Sequence, residues 1–424
     1  MAESFKKITL NNGVRVILVP QPSSLATTVL TLVEAGSKYE TKEINGLSHF
    51  LEHMYFKGTA KRPKAIDIAG ELDQMGAEYN AFTSQEWTGY FAKVQAKDAE
   101  RALDIISDIY LNSIFDAAEI EKEKGVIIEE LNMYEDTPMR KVHDLIMEVL
   151  YGDQPAGWDV GGRKEVVQKL TKEDFLKYRS EHYVGKATLV VVAGAIDEKK
   201  LLPKIEEYFK GISIGDKTEK NKTIEKQEKP QVLVKFKESD QTHLVLGCRA
   251  FDAFDERRFA LEVLGDILGG GMSSRLFQRV REEMGAAYYV RAGADLLSDH
   301  GYFAVSAGVD HKKLKDVIKA ILNELSKISK DSISEQELKR AKDHLSGSLI
   351  LNLETSDELA MFYGGQDILK RSAMTPEETL AKINAVTTKD VVAVAQDIFQ
   401  NDKLNLALIG PYKNADEFKE ILTF

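Results

Sequence analysis

A single cysteine, Cys248, occurs in the 424 residues, so no intrachain disulfide can form. A reducing compartment, or indifference to redox state, follows, and burial is the default expectation for a lone thiol of this kind. Positive charge is also short, with a formal net charge of -11. That balance argues against nucleic acid or an anionic membrane as a partner and is compatible with an acidic interior that attracts basic or unfolded peptides. Long apolar runs are missing. The most apolar stretch, from Ala187 to Ile196, is about half of what a membrane helix needs and is rich in Val, which predicts a buried strand. The opening MAESFKKITLNNGVRVILVPQP has no apolar signal-peptide core and alternates like a hairpin around Asn12 and Gly13. A cytoplasmic location is the expectation.

What is present is an ordinary globular composition, 43% hydrophobic and 29% charged. The length exceeds that of a single core, so two or three domains are expected. One architecture occurs twice. TLVVVAGAIDEKKL from Thr188 and LNLALIGPYKNADEF from Leu404 each close a unit, with Gly194 and Gly410 lying 216 positions apart (410 − 194). LTKEDFLKY from Leu170 and VTTKDVVAV from Val386 repeat at the same offset, both with an N-cap Thr before an apolar-periodic helix. AEIEKEKGVIIEEL from Ala118 pairs with EQELKRAKDHLSGSL around Glu337 at an offset of 218. Between the halves, the lysine- and glutamate-rich stretch Gly211 to Pro230 reads as a solvated linker that lets them sit apart. The expected division is therefore a first domain over 1–211, a charged linker over 212–230 and a second domain over 231–424. Strand-like stretches such as TTVLTLVEAG and WTGYFAKV alternate with amphipathic helices such as AERALDIISDIYLNS. This mixture predicts an α+β fold, a sheet covered by helices on one side in each half.

The chemistry concentrates in GLSHFLEHMYFKGT, where His49, Glu52 and His53 form a His-x-x-Glu-His cluster. On a helix, the i, i+4 spacing puts both imidazoles on one face with the carboxylate beside them. Zinc favours such ligands, and a catalytic site needs three of them with the fourth position open. The neighbouring carboxylate can take a proton from water. A third ligand is available from EIEKEKGVIIEELNMYED, helical by the spacing of Ile120, Val126, Ile127 and Leu131, which carries Glu121, Glu123, Glu129 and Glu130.

HFLEHMYFKGTAKRP, NAFTSQEWTGYFA and EKEKGVIIEE, in this order, resemble the successive signatures of the M16 peptidases, the inverzincins. That family includes the mitochondrial processing peptidase beta subunit and insulin-degrading enzyme. The resemblance implies that His49, His53 and Glu130 bind one zinc ion per chain, that Glu52 is the general base and that Glu123 is a supporting carboxylate behind the site. Glu130 lies 77 positions after His53 (130 − 53), close to the family spacing. Two homologous halves facing each other across a closed chamber, a clamshell, are implied as well. At the 218-residue offset Glu130 falls on Ser348 and Glu123 on Ala341, so only the first half can hold the metal.

By the same resemblance, Asn80, Ala81 and Phe82 lie on an edge strand beside the zinc helix, where an extended peptide could pair by main-chain hydrogen bonds. Arg281 and Tyr288 in SSRLFQRVREEMGAAYYV match a pair that reaches the substrate from the inactive half; both donate hydrogen bonds without a change of charge. The Gly269-Gly270-Gly271 run before them lacks the ending of a phosphate loop and fits a turn. In the mitochondrial enzyme, acidic residues ten and fourteen positions beyond the glutamate ligand receive a substrate arginine. Here those positions hold Arg140 and Asp144, so a broader peptide preference is expected. The reading is a zinc-dependent endopeptidase or oligopeptidase, expected as a homodimer. The alternatives are a non-catalytic scaffold of the same fold and the catalytic subunit of a heterodimeric processing peptidase.

Overall fold

The computed structural model describes residues 5–330 and 333–424. The chain divides into two compact units, each built on one mixed sheet. Unit 1 contains β1 (Lys6–Thr9), β2 (Arg15–Pro20), β3 (Ala26–Val33), β4 (Glu78–Thr83), β5 (Thr88–Gln95) and β6 (Thr188–Gly194), in the order β1-β2-β6-β3-β5-β4. Unit 2 contains β7 (Gln231–Phe236), β8 (Thr242–Ala250), β9 (Ala287–Leu296), β10 (Gly301–Val309) and β11 (Leu404–Gly410), in the order β7-β11-β8-β10-β9. Apart from the extra β1, the two orders are the same. In each, the Val/Leu-rich strand (β6 or β11) pairs in parallel with one neighbour and antiparallel with the other. Both of these strands are buried at all seven positions, as unalternated apolar runs require. The capping boxes of the repeat also form in both copies, with Asp174 on Thr171 and Asp390 on Thr387. Asn12 and Gly13 turn between β1 and β2, with Gly13 at φ 89°. No helix among the described residues is long and apolar enough to cross a membrane.

Each sheet is covered on both faces, where one was expected. In unit 1, α1 (Leu47–Met54), α2 (Ala65–Gln74) and α3 (Ala99–Asn112) belong to the first half of the chain. Tyr110 of α3 meets Tyr90 on one face of β5. The other face of the sheet carries Ile17, Leu30, Leu32 and Val191, and what covers them is Leu359, Ala360, Tyr363 and Ile368. These four lie on the helix Ser356–Lys370, which comes from the second half of the sequence. It approaches closely at Gly364, where a Cβ would sit 2.8 Å from Leu32. The buried Asp367 locks it down by accepting from Arg15 and from Lys7. In unit 2 the converse occurs. After α4 (Ala117–Glu135), α5 (Pro138–Tyr151) packs Val142, Leu145, Ile146 and Leu150 against Val245, Ala407 and Ile409 of the second sheet. The two helices are repeat equivalents, since 138 + 218 = 356. Each therefore completes the unit of the other half.

The compact units consequently depart from the sequential division at 212–230. Residues 132–158 belong to unit 2, and residues 350–375 belong to unit 1. The linker also differs from a free spacer. Most of it is exposed, but Lys217 pairs with Glu34 at 2.6 Å and Lys220 with Glu86 at 2.8 Å on unit 1. Beyond Asn221, Thr223 N donates to Asp299 and Gln227 Nε2 to the Leu404 carbonyl on unit 2. Its lysines, read from sequence as solvated, meet buried carboxylates that lie far away along the chain.

Candidate metal centre

The helix α1 begins at Gly46, whose φ of 99° and close approach to Gly161 leave no room for a Cβ. Its free N-terminal amides are met by a carboxylate from upstream: Gly46 N donates to Glu40 at 2.8 Å and Ser48 N at 2.6 Å, with Asn45 adding a third bond. Glu40 is buried, and burial pushes its pKa up to about 7 despite these donors. Leu47, Phe50, Leu51 and Met54 face the core. The remaining face carries His49, Glu52 and His53, all partly open.

Opposite them stands α4. Glu130 Oε2 lies 3.6 Å from His49 Nε2 and 3.5 Å from His53 Nε2. Donors bound to one tetrahedral zinc at about 2.0–2.1 Å sit roughly 3.3 Å apart, so this spacing fits one such ion. Among the described residues this is the one group of His, Cys, Asp and Glu donors that converges in this way. The donor set is also right in kind, two imidazoles and a carboxylate with no thiolate. His53 Nδ1 is 3.0 Å from Glu123 Oε1, which leaves its Nε2 for a metal. Glu123 is buried, but the hydrogen bond to His53 and the pairing with Lys57 hold its pKa below the usual range.

Glu52 points along the same face. Burial raises its pKa, against a hydrogen bond from Thr83 Oγ1 at 2.5 Å and the field of His53, while the Glu130 charge adds to the rise. Of the other α4 acids, Glu121 pairs with Lys124 on the surface and Glu129 is exposed. Val126, read as apolar face, is 52% exposed.

The stretch NAFTSQEWTGYFA forms two strands, β4 and β5, joined by a turn in which Ser84 N donates to the Trp87 carbonyl. Asn80, Ala81 and Phe82 lie on β4, the outermost strand, which pairs on one side only. Phe82 turns inward across Gly89 to stack edge-on against Trp87, while Asn80 is exposed. Thr83, at the end of the same strand, is the residue that reaches Glu52.

Arg281 and Tyr288 belong to unit 2, where they come together. The Arg281 guanidinium lies 5.6 Å from the Tyr288 ring centre and 4.8 Å from that of Phe277. With Gly269, Gly270, Gly271 and Met272 they line a cavity of about 500 Å³ beside β9, the edge strand of the second sheet. Arg281 sits in a π-helical turn, Phe277–Glu283, a form of helix frequent at functional sites. Arg140 stacks 3.1 Å over the Tyr134 ring, and Asp144 pairs with Lys141.

Sequence reading passed over Glu40, Thr83 and Lys57. Glu40 and Lys57 carry no periodic signal, and a carboxylate that caps a helix from six residues upstream reads as loop. Thr83 lay within a quoted stretch, but only the hairpin aims it at Glu52.

The comparisons bear on both halves of the chain. The profile of the insulinase family, peptidase family M16, matches residues 15–162, and that of the peptidase M16 inactive domain matches residues 169–345. The chain is 36% identical over 412 residues to the uncharacterized zinc protease YmxG of Bacillus subtilis, covering 96% of this chain and 99% of that one. It is 34% identical to an uncharacterized zinc protease of Streptomyces coelicolor, over 96% and 90% of the two chains. The fold matches the crystal structure of a protease from Helicobacter pylori with a TM-score of 0.89 at 23% identity, over 96% of this chain and 99% of the other. With two domain profiles in order and relatives alike over nearly their whole length, the chain belongs to peptidase family M16.

Proposed function

We propose that this chain is a zinc-dependent endopeptidase or oligopeptidase that cleaves extended or unfolded peptides. The observation that carries the reading is the approach of His49 and His53 to Glu130 at 3.5–3.6 Å, with Glu52 on the same helical face as the two imidazoles. Zinc in such a donor set supplies Lewis acidity toward a carbonyl and makes nearby water easier to deprotonate.

The residues supply the rest. Glu52, with its pKa raised by burial, is suited to take a proton from the attacking water and deliver it to the departing amine. Thr83 holds the carboxylate in place through its hydroxyl. The outer edge of β4 offers main-chain groups around Asn80 and Ala81 to an extended substrate, giving affinity that does not depend on sequence, with the Ala81 N–H, which donates to Asn80 Oδ1 at 2.9 Å, exchanging that partner for the substrate. Arg281 and Tyr288 are assigned to the substrate backbone and the developing oxyanion, an assignment that rests on the family likeness. The intact set of four site residues disfavours the scaffold alternative.

Glu52→Gln tests the reading because it keeps the shape of the side chain and removes the base. Digestion of a mixed peptide library should fall by roughly 10²–10⁴-fold, with one equivalent of zinc still bound, and chelation should abolish the wild-type activity. Hydrolysis that survives in Glu52→Gln would remove this residue from the mechanism.

A further inference from the structure

Unit 1 has a second cavity, of about 430 Å³, whose walls come from the end of α3, the helix Lys172–His182 and the turn after the helix Glu198–Phe209. None of the residues lining it belongs to the metal centre. Its size lies within the range of small-molecule sites.

The cation in its wall is Arg179. The guanidinium donates to the Leu111 carbonyl and lies 5.6 Å from the Phe115 ring centre. Among the described residues no carboxylate pairs with it. A half-buried guanidinium that meets the Leu111 carbonyl and the Tyr55 hydroxyl but no carboxylate keeps N–H donors for a planar anion. Around it the wall is mixed, with Asn112, Ser180 and Ser213 beside apolar surface. Tyr110 and Tyr183 lie buried behind the wall, their hydroxyls engaged by Thr188 and Tyr90. Leu176, 44% exposed, supplies aliphatic surface, and Tyr208 closes one side.

The geometry points to a binding site for a small monocarboxylate with an apolar side group, its carboxylate on Arg179 and its side group on the Leu176 and Tyr208 surfaces. One guanidinium matches one carboxylate through a two-pronged hydrogen bond. A phosphate dianion would need a second cation, and no other residue lining the cavity supplies one. Two sources share this chemistry, the C-terminal residue of a short peptide and a free organic acid.

Titration of the full chain with N-acetylphenylalanine, 3-phenylpropionate and N-acetylphenylalaninamide separates them. Both acids should bind and the amide should not; if only N-acetylphenylalanine binds, the ligand is a peptide end. Because a carboxylate could also meet the metal centre, the assignment rests on two variants remote from it. Arg179→Gln should weaken binding by about tenfold or more, the loss expected for one charge-assisted contact. Gly211→Phe should abolish it by filling the mouth, since a Cβ at Gly211 meets no atom within 4 Å and the fold need not adjust. If Arg179→Gln proves unstable, Gly211→Phe decides alone. Equal affinity for acid and amide, displacement by inorganic phosphate at equal concentration, or binding unchanged in Gly211→Phe would overturn the assignment.

Discussion

Glu123 bonds His53 on α1 and Lys57 just beyond that helix at once: one oxygen lies 3.0 Å from His53 Nδ1, the other 2.5 Å from Lys57 Nζ. The lysine fixes the carboxylate, and the carboxylate fixes the imidazole tautomer that presents Nε2.

Removing that support should weaken zinc binding by roughly 10–100-fold, measured by competition with a chromogenic chelator. Glu123→Gln should lose less than Glu123→Ala, because an amide oxygen can still accept from Nδ1–H. Equal zinc affinity in wild type and Glu123→Ala would mean that the contact does not orient the ligand.

Asp367 makes a second prediction. Its side chain has no solvent exposure and neutralises the buried Arg15, whose pKa burial lowers to about 10. Asp367→Ala leaves that guanidinium buried and uncompensated, and should cost about 3–5 kcal/mol in urea unfolding. A loss below about 1 kcal/mol would show that water reaches Arg15.

The exchanged helices predict how a divided chain behaves. Residues 1–221 alone lack the helix whose Leu359, Ala360, Tyr363 and Ile368 cover the first sheet. That fragment should bind a hydrophobic dye and give no sharp near-ultraviolet signal, while co-expression with residues 222–424 should restore both native signals. A fragment 1–221 that unfolds cooperatively at the temperature of the whole chain would argue that the sheet can cover itself.

Much of this was legible and some was not, for physical reasons. The His49-Glu52-His53 face follows from helical period, β6 from its Val-rich apolar run, and β11 from its repeat of that segment 216 positions on. The capping boxes at Thr171 and Thr387 are local chemistry. What covers a sheet face is a long-range choice, and the apolar stripe of 356–370 would fit either sheet equally well as a pattern. The anchoring of Lys217 and Lys220 escaped for the same reason, because Glu34 and Glu86 are more than a hundred residues away in sequence.

Two buried groups give a prediction for pH. Burial lowers His182 to about 4, between the Tyr178 and Tyr39 rings, while it raises Glu40 to about 7. The His182 contribution to stability is complete above about pH 6.5 and is lost as pH falls toward 4. The Glu40 contribution has the opposite sign, complete below about pH 4.5 and lost as pH rises through 7. Each amounts to about 3 kcal/mol over its window, so they largely cancel. Relative to wild type, His182→Phe should gain stability on acidification from pH 7 to 5, and Glu40→Gln should lose it, both read from urea midpoints. Parallel pH profiles in all three proteins would show that neither group titrates differently on unfolding.

The reciprocal helices also set a timetable for synthesis. Between Asn221, the last linker residue of unit 1, and Lys370, the end of the helix that unit 1 still needs, lie 149 residues (370 − 221). At about 5–20 residues per second the ribosome takes roughly 7–30 s to supply it. For that interval the nascent first sheet keeps one apolar face without the helix that covers it, an exposure set by the order of the chain itself.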